Sequence, residues 1–373
     1  GGPTPIHRMP RDGWGSTDTA LAAAALAAGH TWAEDVNAPG AHGVSPYPIN
    51  SRDGKRVTVN DGYLEPVREA GALTIRGGAL VDRIMVRDGR AVGVRLLADG
   101  APVEERADLV VLCAGAVHSP AVLMRSGIGP ASLLRSLGIE VLADLPVGQG
   151  LQDHPMATVA IPLDEASAIG TPDDRHTNVC VRWTSDESGA QPLDMMYVSL
   201  NQNVLAMASA DLRFGAGAFG VWLNQTWSRG SVTVSSADPR AQPEIREGML
   251  GDERDLVRLR AGIRSLVDLA RSEPATAIAD EPIERVNREL MSALDDDARL
   301  DDHLLATAAD TQHATSTCRM GSPGEPTTVV DPECRVLGVD GLRVVDASIF
   351  PSVPRANTNL TAIMAGELMA DRL

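Results

Sequence analysis

Lysine and cysteine are scarce in this 373-residue sequence, and each scarcity argues against a class of site. Only one of the 33 basic residues is lysine, Lys55, and neither Ser nor Thr follows it. This excludes a phosphate-binding loop and argues against pyridoxal phosphate, since each needs a particular lysine. The four cysteines contain no C-x-x-C pair, which argues against a zinc or redox site. We therefore expect no metal, reduced and mostly buried thiols, and a cytoplasmic protein.

Positive charge and long apolar runs are also in short supply. The net charge is −17, from 50 acidic and 33 basic residues, so we expect neither nucleic acid nor an anionic membrane as a partner. The longest uninterrupted apolar run, residues 20–28, has nine residues. A membrane-spanning helix needs about 20, so no span is expected. No basic-then-apolar leader opens the sequence, so no secretory signal is visible.

The remaining composition is that of a globular protein long enough for two domains of about 150 residues each. Residues 107–113 are almost continuously apolar and predict a strand buried on both faces of a parallel sheet. A helix is expected over 119–126, with Ser119 as its cap and Pro120 at its first position. Further strands are predicted at 71–77, 81–86, 92–97, 178–183, 193–200, 230–235 and 342–345, and further helices at 18–28, 252–272, 283–296 and 361–373.

These patterns place α/β segments at both ends of the sequence and an antiparallel sheet between them. We therefore predict a mixed α/β fold with one discontinuous domain and a second, inserted domain. A Gly-x-Gly-x-x-Gly string occupies residues 215–220, but no apolar strand precedes it. Since a dinucleotide fingerprint requires that strand, the string instead predicts a mobile loop, such as a lid.

One stretch carries a more specific signal. Residues 115–129, GAVHSPAVLMRSGIG, place small residues after the apolar strand and then a helical pattern. This stretch resembles the second signature of the glucose–methanol–choline (GMC) flavin oxidoreductase family. Further similarity to the family follows in family order and covers essentially the whole sequence, at residues 145–155, 228–232, 312–321, 342–351 and 356–361.

The resemblance implies a Rossmann-like FAD-binding domain and a substrate domain with an antiparallel sheet. It implies four segments: 1–50 covering the cofactor, 51–158 and 309–373 in the FAD-binding domain, and 159–308 binding substrate. The family's N-terminal unit, which holds the ADP half of FAD, has no counterpart here. A fragment, or a companion chain that carries this unit, is therefore expected. Ser316 and Gly150 also stand where the family usually has Gly and Asn.

The resemblance also implies site residues. His313 is expected to accept the substrate hydroxyl proton, and Asn357 to stabilise the negative charge on the substrate oxygen. An asparagine that only bonds its own turn remains an alternative for Asn357. His154 is expected to be structural polar packing and His118 a surface residue. The residues expected to bind the cofactor are Val81, Ala114, Gly115, Asp346, Ala347, Asn359 and Thr361.

The function that follows from the resemblance is FAD-dependent oxidation of a primary alcohol to an aldehyde, by hydride transfer to flavin N5. Two alternatives stay open. One is a hydroxynitrile lyase that keeps FAD without net redox chemistry, and the other is a non-catalytic subunit that needs a companion chain. The sequence identifies neither the substrate nor the choice between oxidase and dehydrogenase.

Overall fold

The computed structural model describes residues 2–68, 70–71, 73–170, 174–202 and 216–372. The α-helices of these residues are α1 (Ser16–Ala27), α2 (Gly115–Arg125), α3 (Ala131–Ser136), α4 (Glu253–Arg271), α5 (Glu273–Thr276), α6 (Ile283–Val286), α7 (Arg288–Ala293), α8 (Asp297–Thr307) and α9 (Thr358–Ala370). The strands are β1 (Gly43–Pro46), β2 (Ser51–Arg52), β3 (Lys55–Arg56), β4 (Ala79–Arg87), β5 (Arg90–Ala98), β6 (Ala101–Arg106), β7 (Val110–Leu112), β8 (Gln149–Leu151), β9 (Met156–Pro162), β10 (Val179–Trp183), β11 (Met195–Leu200), β12 (Ala216–Leu223), β13 (Gly230–Thr233), β14 (Glu244–Arg246) and β15 (Leu342–Val344).

The chain forms two compact units, and each is built from three separate stretches. Unit 1 comprises Gly1–Ile75, Pro155–Asn224 and Glu253–Ala309, and unit 2 comprises Arg76–His154, Gln225–Asp252 and Asp310–Leu373. The fold is therefore mixed α/β with both units discontinuous. The assignment of segments to cofactor and substrate binding stays a prediction.

Unit 1 is organised around an antiparallel sheet in the order β1-β10-β11-β12-β9. All six residues of β11 are buried at its centre. Helix α4 packs on this sheet, and its Arg258 is completely buried between the carboxylates of Asp194 (3.1 Å) and Asp255 (2.5 Å). This ion pair fixes α4 to the segment that leads into β11. The antiparallel sheet expected between residues 160 and 235 is confirmed, although β13 belongs to unit 2.

Unit 2 contains the antiparallel sheets β4-β5-β6 and β14-β13-β8 and the parallel pair β15-β7. The expected hairpin is confirmed, since β4 and β5 flank Asp88 and Gly89, both with positive φ. Helix α2 packs between these elements over a core that includes Leu123, Met124 and Ile128. Strands β7 and β15 run parallel, so the loops that follow them leave at the same edge. Most of the predicted cofactor residues lie on or just after those loops.

Several predictions about individual elements are wrong. Strand β7 has three residues instead of seven, and it is buried on one face only, since Val110 and Leu112 are buried whereas Val111 is 36% exposed. Helix α2 begins at Gly115, so Ser119 and Pro120 lie inside it and Ser119 is not the cap. The described residues of 71–77 form no strand, and the helix expected at 283–296 is split into α6 and α7.

The Gly-x-Gly-x-x-Gly string does not form the loop that was expected. Gly215 lies outside the described residues, but Gly217 and Gly220 are inside β12. There Gly217 pairs with Ile161 and Gly220 with Thr158. A strand interior offers no helix N-terminus to a phosphate, which agrees with the argument against a dinucleotide site at this string.

Candidate active site

A pair of antiparallel backbone hydrogen bonds brings His313 next to His154. The N–H of Gln152 donates to the carbonyl of Thr315 (3.2 Å), and the N–H of Thr315 donates back to the carbonyl of Gln152 (2.9 Å). This bridge joins residues that are 163 positions apart in unit 2. It places the segment that carries His313 against the segment that carries His154.

The ring of His313 is held by contacts at both of its nitrogens. Its Nδ1 lies 2.9 Å from Nδ1 of His154 and 2.7 Å from Oγ1 of Thr311. Its Nε2 lies 3.1 Å from Nδ2 of Asn357. The two imidazole rings meet edge to face, with centroids 5.0 Å apart. The structure thus brings together the two residues expected to be catalytic, and it adds His154 and Thr311 to them.

Burial keeps His313 neutral. The residue is 8% exposed, and desolvation lowers the pKa of its imidazole to about 4, although the nearby Asp310 carboxylate opposes this shift. Burial has the opposite effect on the carboxyl group of Asp153, because it raises the pKa of that group. Hydrogen bonds from the backbone N–H groups of His313, His154 and Thr311 oppose this shift. At neutral pH, His313 is therefore an uncharged base in a desolvated site.

Asn357 immediately precedes α9, at the position of a helix cap. Its side chain makes no capping hydrogen bond to α9, and its amide points to His313 instead. The alternative of an asparagine that serves only its own turn is therefore not what the structure shows. The amide is a hydrogen-bond donor beside a base, which is what a substrate oxygen needs once it loses its proton.

Four of the residues expected to bind the cofactor meet at the edge where β7 and β15 end. These are Ala114, Gly115, Asp346 and Ala347. The carboxylate of Asp346 accepts hydrogen bonds from the N–H of Gly115 (2.9 Å), the hydroxyl of Ser119 (2.5 Å) and the N–H of Ser348 (2.8 Å). Asp346 therefore joins the start of α2 to the turn that begins at Ala347. In parallel sheets, ligands bind at this carboxyl edge.

This edge fits a dinucleotide cofactor. Ala114 is exposed, and Gly115 has φ +81° with open space where a Cβ would stand, so a ligand can approach the backbone closely. Asn359 and Thr361 lie in the first turns of α9, whose N–H groups would favour an anionic group. Val81 lies on a different element, β4, where its carbonyl accepts from Arg125 at the end of α2.

Backbone geometry explains both departures from the family pattern. Ser316 has φ +72° and Gly150 has φ +86°, both in the left-handed region. Glycine adopts this region without strain, and asparagine tolerates it better than most residues. Gly150 in place of Asn therefore preserves the backbone, whereas Ser316 in place of Gly keeps the same turn at a cost in strain.

Sequence reasoning did not place Thr311 or Asp153 in the site, and it placed His154 in structural polar packing instead of beside His313. His154 is fully buried, and the bridge at Gln152 that places it beside His313 has no local signature in the sequence. The Asp-His-Pro string was the one available signal, and it was assigned to structural packing. His118 lies in α2 and is exposed, as expected of a surface residue. Of the cysteines, which are all unpaired, Cys113 alone is exposed and the other three are buried.

Two features are absent from the described residues. No group of three or more His, Cys, Asp or Glu residues there could hold a metal ion. In the same part of the chain, no helix is long and apolar enough to cross a membrane.

The chain matches known proteins over its whole length. Sequence models described as GMC oxidoreductase match residues 10–156 and 226–366. The chain is 34% identical to 5-(hydroxymethyl)furfural oxidase of Methylovorus sp. (strain MP688), over 100% of this chain and 71% of that protein. It is 33% identical to oxygen-dependent choline dehydrogenase of Stenotrophomonas maltophilia (strain K279a), over 100% and 70%.

A solved structure supports the same relationship. Pyridoxine 4-oxidase from Mesorbium loti superposes with a TM-score of 0.88 at 28% identity, over 100% of this chain and 72% of that one. The sequence models, the relatives and the fold agree with one another and with the sequence segments that resemble the family. The chain belongs to the GMC oxidoreductase family, and its cofactor is FAD.

Proposed function

We propose that this protein oxidises a small primary alcohol to the aldehyde, with His313 as the general base. The observation that carries the proposal is the contact between Nε2 of His313 and the amide of Asn357 in a buried site. Family membership makes the protein an oxidoreductase. Among redox reactions, the pairing of a neutral base with a hydrogen-bond donor favours alcohol oxidation, because the base can accept the hydroxyl proton and the donor can stabilise the oxygen.

The proton and the hydride of the alcohol go to different acceptors. Nε2 of His313 takes the hydroxyl proton, because Nδ1 already faces His154 and Thr311. The amide of Asn357 donates to the substrate oxygen as negative charge develops on it, and the C=O bond forms as the C–H bond breaks. FAD supplies the acceptor of the hydride at flavin N5. Exclusion of water strengthens both protein contacts, since the effective dielectric constant of the buried site is low.

The relatives support an alcohol as the substrate class. The Methylovorus relative is named for a compound with a hydroxymethyl group, and the Stenotrophomonas relative is named for choline. The substrate of this chain is proposed to share the hydroxyl that His313 can deprotonate. Cytoplasmic location and a companion chain stay predictions, and fractionation and co-purification test them.

Stopped-flow reduction of the bound flavin by a panel of primary alcohols tests the proposal. His313→Ala is expected to slow reduction by about 10²-fold or more, the usual scale for a lost general base. His118→Ala is the matched control, because His118 is a histidine of the same unit outside the His313 cluster. An unchanged rate in His313→Ala would overturn the assignment. Product release while the flavin stays oxidised would instead identify a lyase.

A further inference from the structure

We propose that His154 is a positioning residue that fixes the proton of His313 on Nδ1 and so leaves Nε2 unprotonated to act as the base. The proposal rests on the function proposed for His313. It starts from the second contact of the His154 ring, where Nε2 lies 3.0 Å from the carbonyl oxygen of Pro354. His154 therefore stands between a backbone carbonyl and the base.

The carbonyl determines the tautomer of His154. A carbonyl oxygen accepts hydrogen bonds and never donates them, so Nε2 of His154 carries a proton. A neutral imidazole has one protonated nitrogen and one acceptor. Nδ1 of a neutral His154 is then the acceptor, and it faces His313.

The tautomer of His154 in turn determines that of His313. Two imidazole nitrogens 2.9 Å apart share one proton. Since Nδ1 of His154 has none, Nδ1 of His313 carries it. Thr311 agrees with this assignment: its hydroxyl donates to Oδ1 of Asp153 (3.2 Å), so Oγ1 can accept from Nδ1–H of His313 (2.7 Å). The proton on Nδ1 thus has two acceptors.

The opposite side of the His313 ring gives an independent check. With the proton on Nδ1, Nε2 is an acceptor, and the group beside it is the donor Nδ2 of Asn357. A positively charged His154 would break this agreement. It would donate from both nitrogens and force the proton of a neutral His313 onto Nε2, where it would face the N–H of Asn357. Burial of the whole His154 side chain also disfavours the charged form.

One loop supplies both ends of this arrangement. Pro354 provides the carbonyl that orients His154, and three residues later Asn357 provides the donor to Nε2. The loop is anchored to the same backbone bridge, since the N–H of Val353 donates to Oε1 of Gln152 (3.1 Å). The amide of Gln152 is fixed in turn by Thr226, at 2.7 Å from its carbonyl and 2.9 Å from its hydroxyl.

Two substitutions of His154 separate its two contacts. In His154→Gln, the amide nitrogen can reach the position of Nε2 and keep the bond to Pro354, but the acceptor toward His313 is lost. In His154→Asn, the amide oxygen stands near the position of Nδ1 and keeps that acceptor, but the bond to Pro354 is lost. Each variant removes one hydrogen bond, so their thermal stabilities serve as matched controls.

Nitrogen-15 spectra of histidine-labelled protein, with flavin bound, read the tautomer directly. The chain has eight histidines, and the His313→Ala spectrum identifies the signal of His313. The wild type is expected to show Nδ1–H with Nε2 unprotonated. His154→Asn is expected to keep this state, and His154→Gln to shift His313 toward Nε2–H. Flavin reduction by alcohol is expected to be about 10-fold or more slower in His154→Gln than in His154→Asn, within the range measured when orienting partners are removed.

Two results would overturn the proposal. One is a wild-type His313 that carries its proton on Nε2, which needs no variant to fold. The other is the same tautomer and the same reduction rate in both His154 variants. Failure of the proposed function gives a different pattern, because His313→Ala would then reduce the flavin at the wild-type rate while the spectra still assign the proton.

Discussion

Nδ2 of Asn357 lies 3.1 Å from Nε2 of His313, so the nitrogen proposed to receive the substrate proton is already in contact with a neutral donor. A substrate hydroxyl that enters the site has to replace this contact. Its proton then points to His313 while its oxygen can accept from the amide. On the proposed mechanism, this contact lies where the reacting oxygen would stand.

Replacement of Asn357 by aspartate (N357D) tests this relationship. A carboxylate beside Nε2 favours the imidazolium form and is expected to raise the pKa of His313 by about 1–3 pH units. The introduced carboxylate also cannot donate to a developing alkoxide. We expect flavin reduction at neutral pH to slow by about 10²-fold, the scale for one lost oxyanion donor. Asn357→Ala is the control that loses the donor without adding charge, and it should leave the pKa of His313 low.

Acid should destabilise the protein through His313. Because burial lowers its pKa from 6.5 to about 4, the unfolded chain binds more protons than the folded one between these values. The free energy of unfolding therefore falls as pH drops from 6.5 to 4, by an amount on the order of 2–3 kcal/mol from this residue. Asp153, whose pKa burial raises, contributes with the opposite sign, because the folded chain then binds more protons at this residue than the unfolded chain.

Urea unfolding at several pH values measures this effect. His313→Asn should reduce the slope of unfolding free energy against pH in the same window, and the difference between the two proteins isolates His313 from the carboxylates. Identical slopes in both proteins would contradict the low pKa.

We expect Asp346 to contribute to the free energy of unfolding as well as to the shape of the edge where β7 and β15 end. Its carboxylate accepts from Gly115, Ser119 and Ser348, and each hydrogen bond to a charged group contributes about 1.5–3 kcal/mol. Because such terms are not additive, we expect Asp346→Ala to cost about 2–4 kcal/mol in chemical denaturation. Ser119→Ala removes one of the three contacts and should cost less. Equal losses in the two variants would show that the backbone contacts contribute nothing.

At position 316, glycine should give a more stable protein than alanine, which reverses the usual order of these two residues. A non-glycine residue at φ +72° is strained by about 1–2 kcal/mol. Ser316→Ala and Ser316→Gly both lose the hydroxyl contact to Thr315 (3.1 Å), so their difference reports backbone strain against the packing of one buried methyl group. Thermal unfolding is expected to place the glycine variant above the alanine variant. The reverse order would mean that the turn relaxes.

In unit 1, Arg258 should be highly sensitive to truncation. Its replacement by alanine leaves the buried carboxylates of Asp194 and Asp255 without their cation, and such a loss costs about 3–5 kcal/mol. Arg285→Ala is the matched control, because the pair of Arg285 with Glu281 is exposed and such pairs contribute little. Similar denaturation midpoints for the two variants would contradict this expectation.

Local signals explain which elements could be predicted. The β4–β5 hairpin follows from Asp88-Gly89, and α1 and α4 follow from helical spacing and turn residues. The start of α2 could not be predicted, because Asp346 satisfies the Gly115 N–H from 231 positions away. The burial of β7 depends on what packs against each of its two faces, and no property of residues 107–113 reveals that.

The candidate site also has one part that could be predicted from the sequence and one part that could not. Family resemblance brought out His313 and Asn357 as a pair, and the structure places them in contact. The resemblance includes His154 in the segment 145–155 but does not place it beside His313, because the bridge between Gln152 and Thr315 is a backbone contact that carries no side-chain signature. Both the tautomer proposed for His313 and its low pKa therefore depend on packing in the folded chain.

The hairpin of β2 and β3 has a practical consequence. It carries Lys55, the single lysine of the sequence, and the side chain is exposed. A lysine-specific protease therefore has one cleavage site in this sequence, in an exposed strand next to a tight turn of unit 1. An amine-reactive dye would likewise modify one lysine side chain. Lys55 thus offers a built-in attachment point for a fluorophore or a surface tether, without any mutation of the chain.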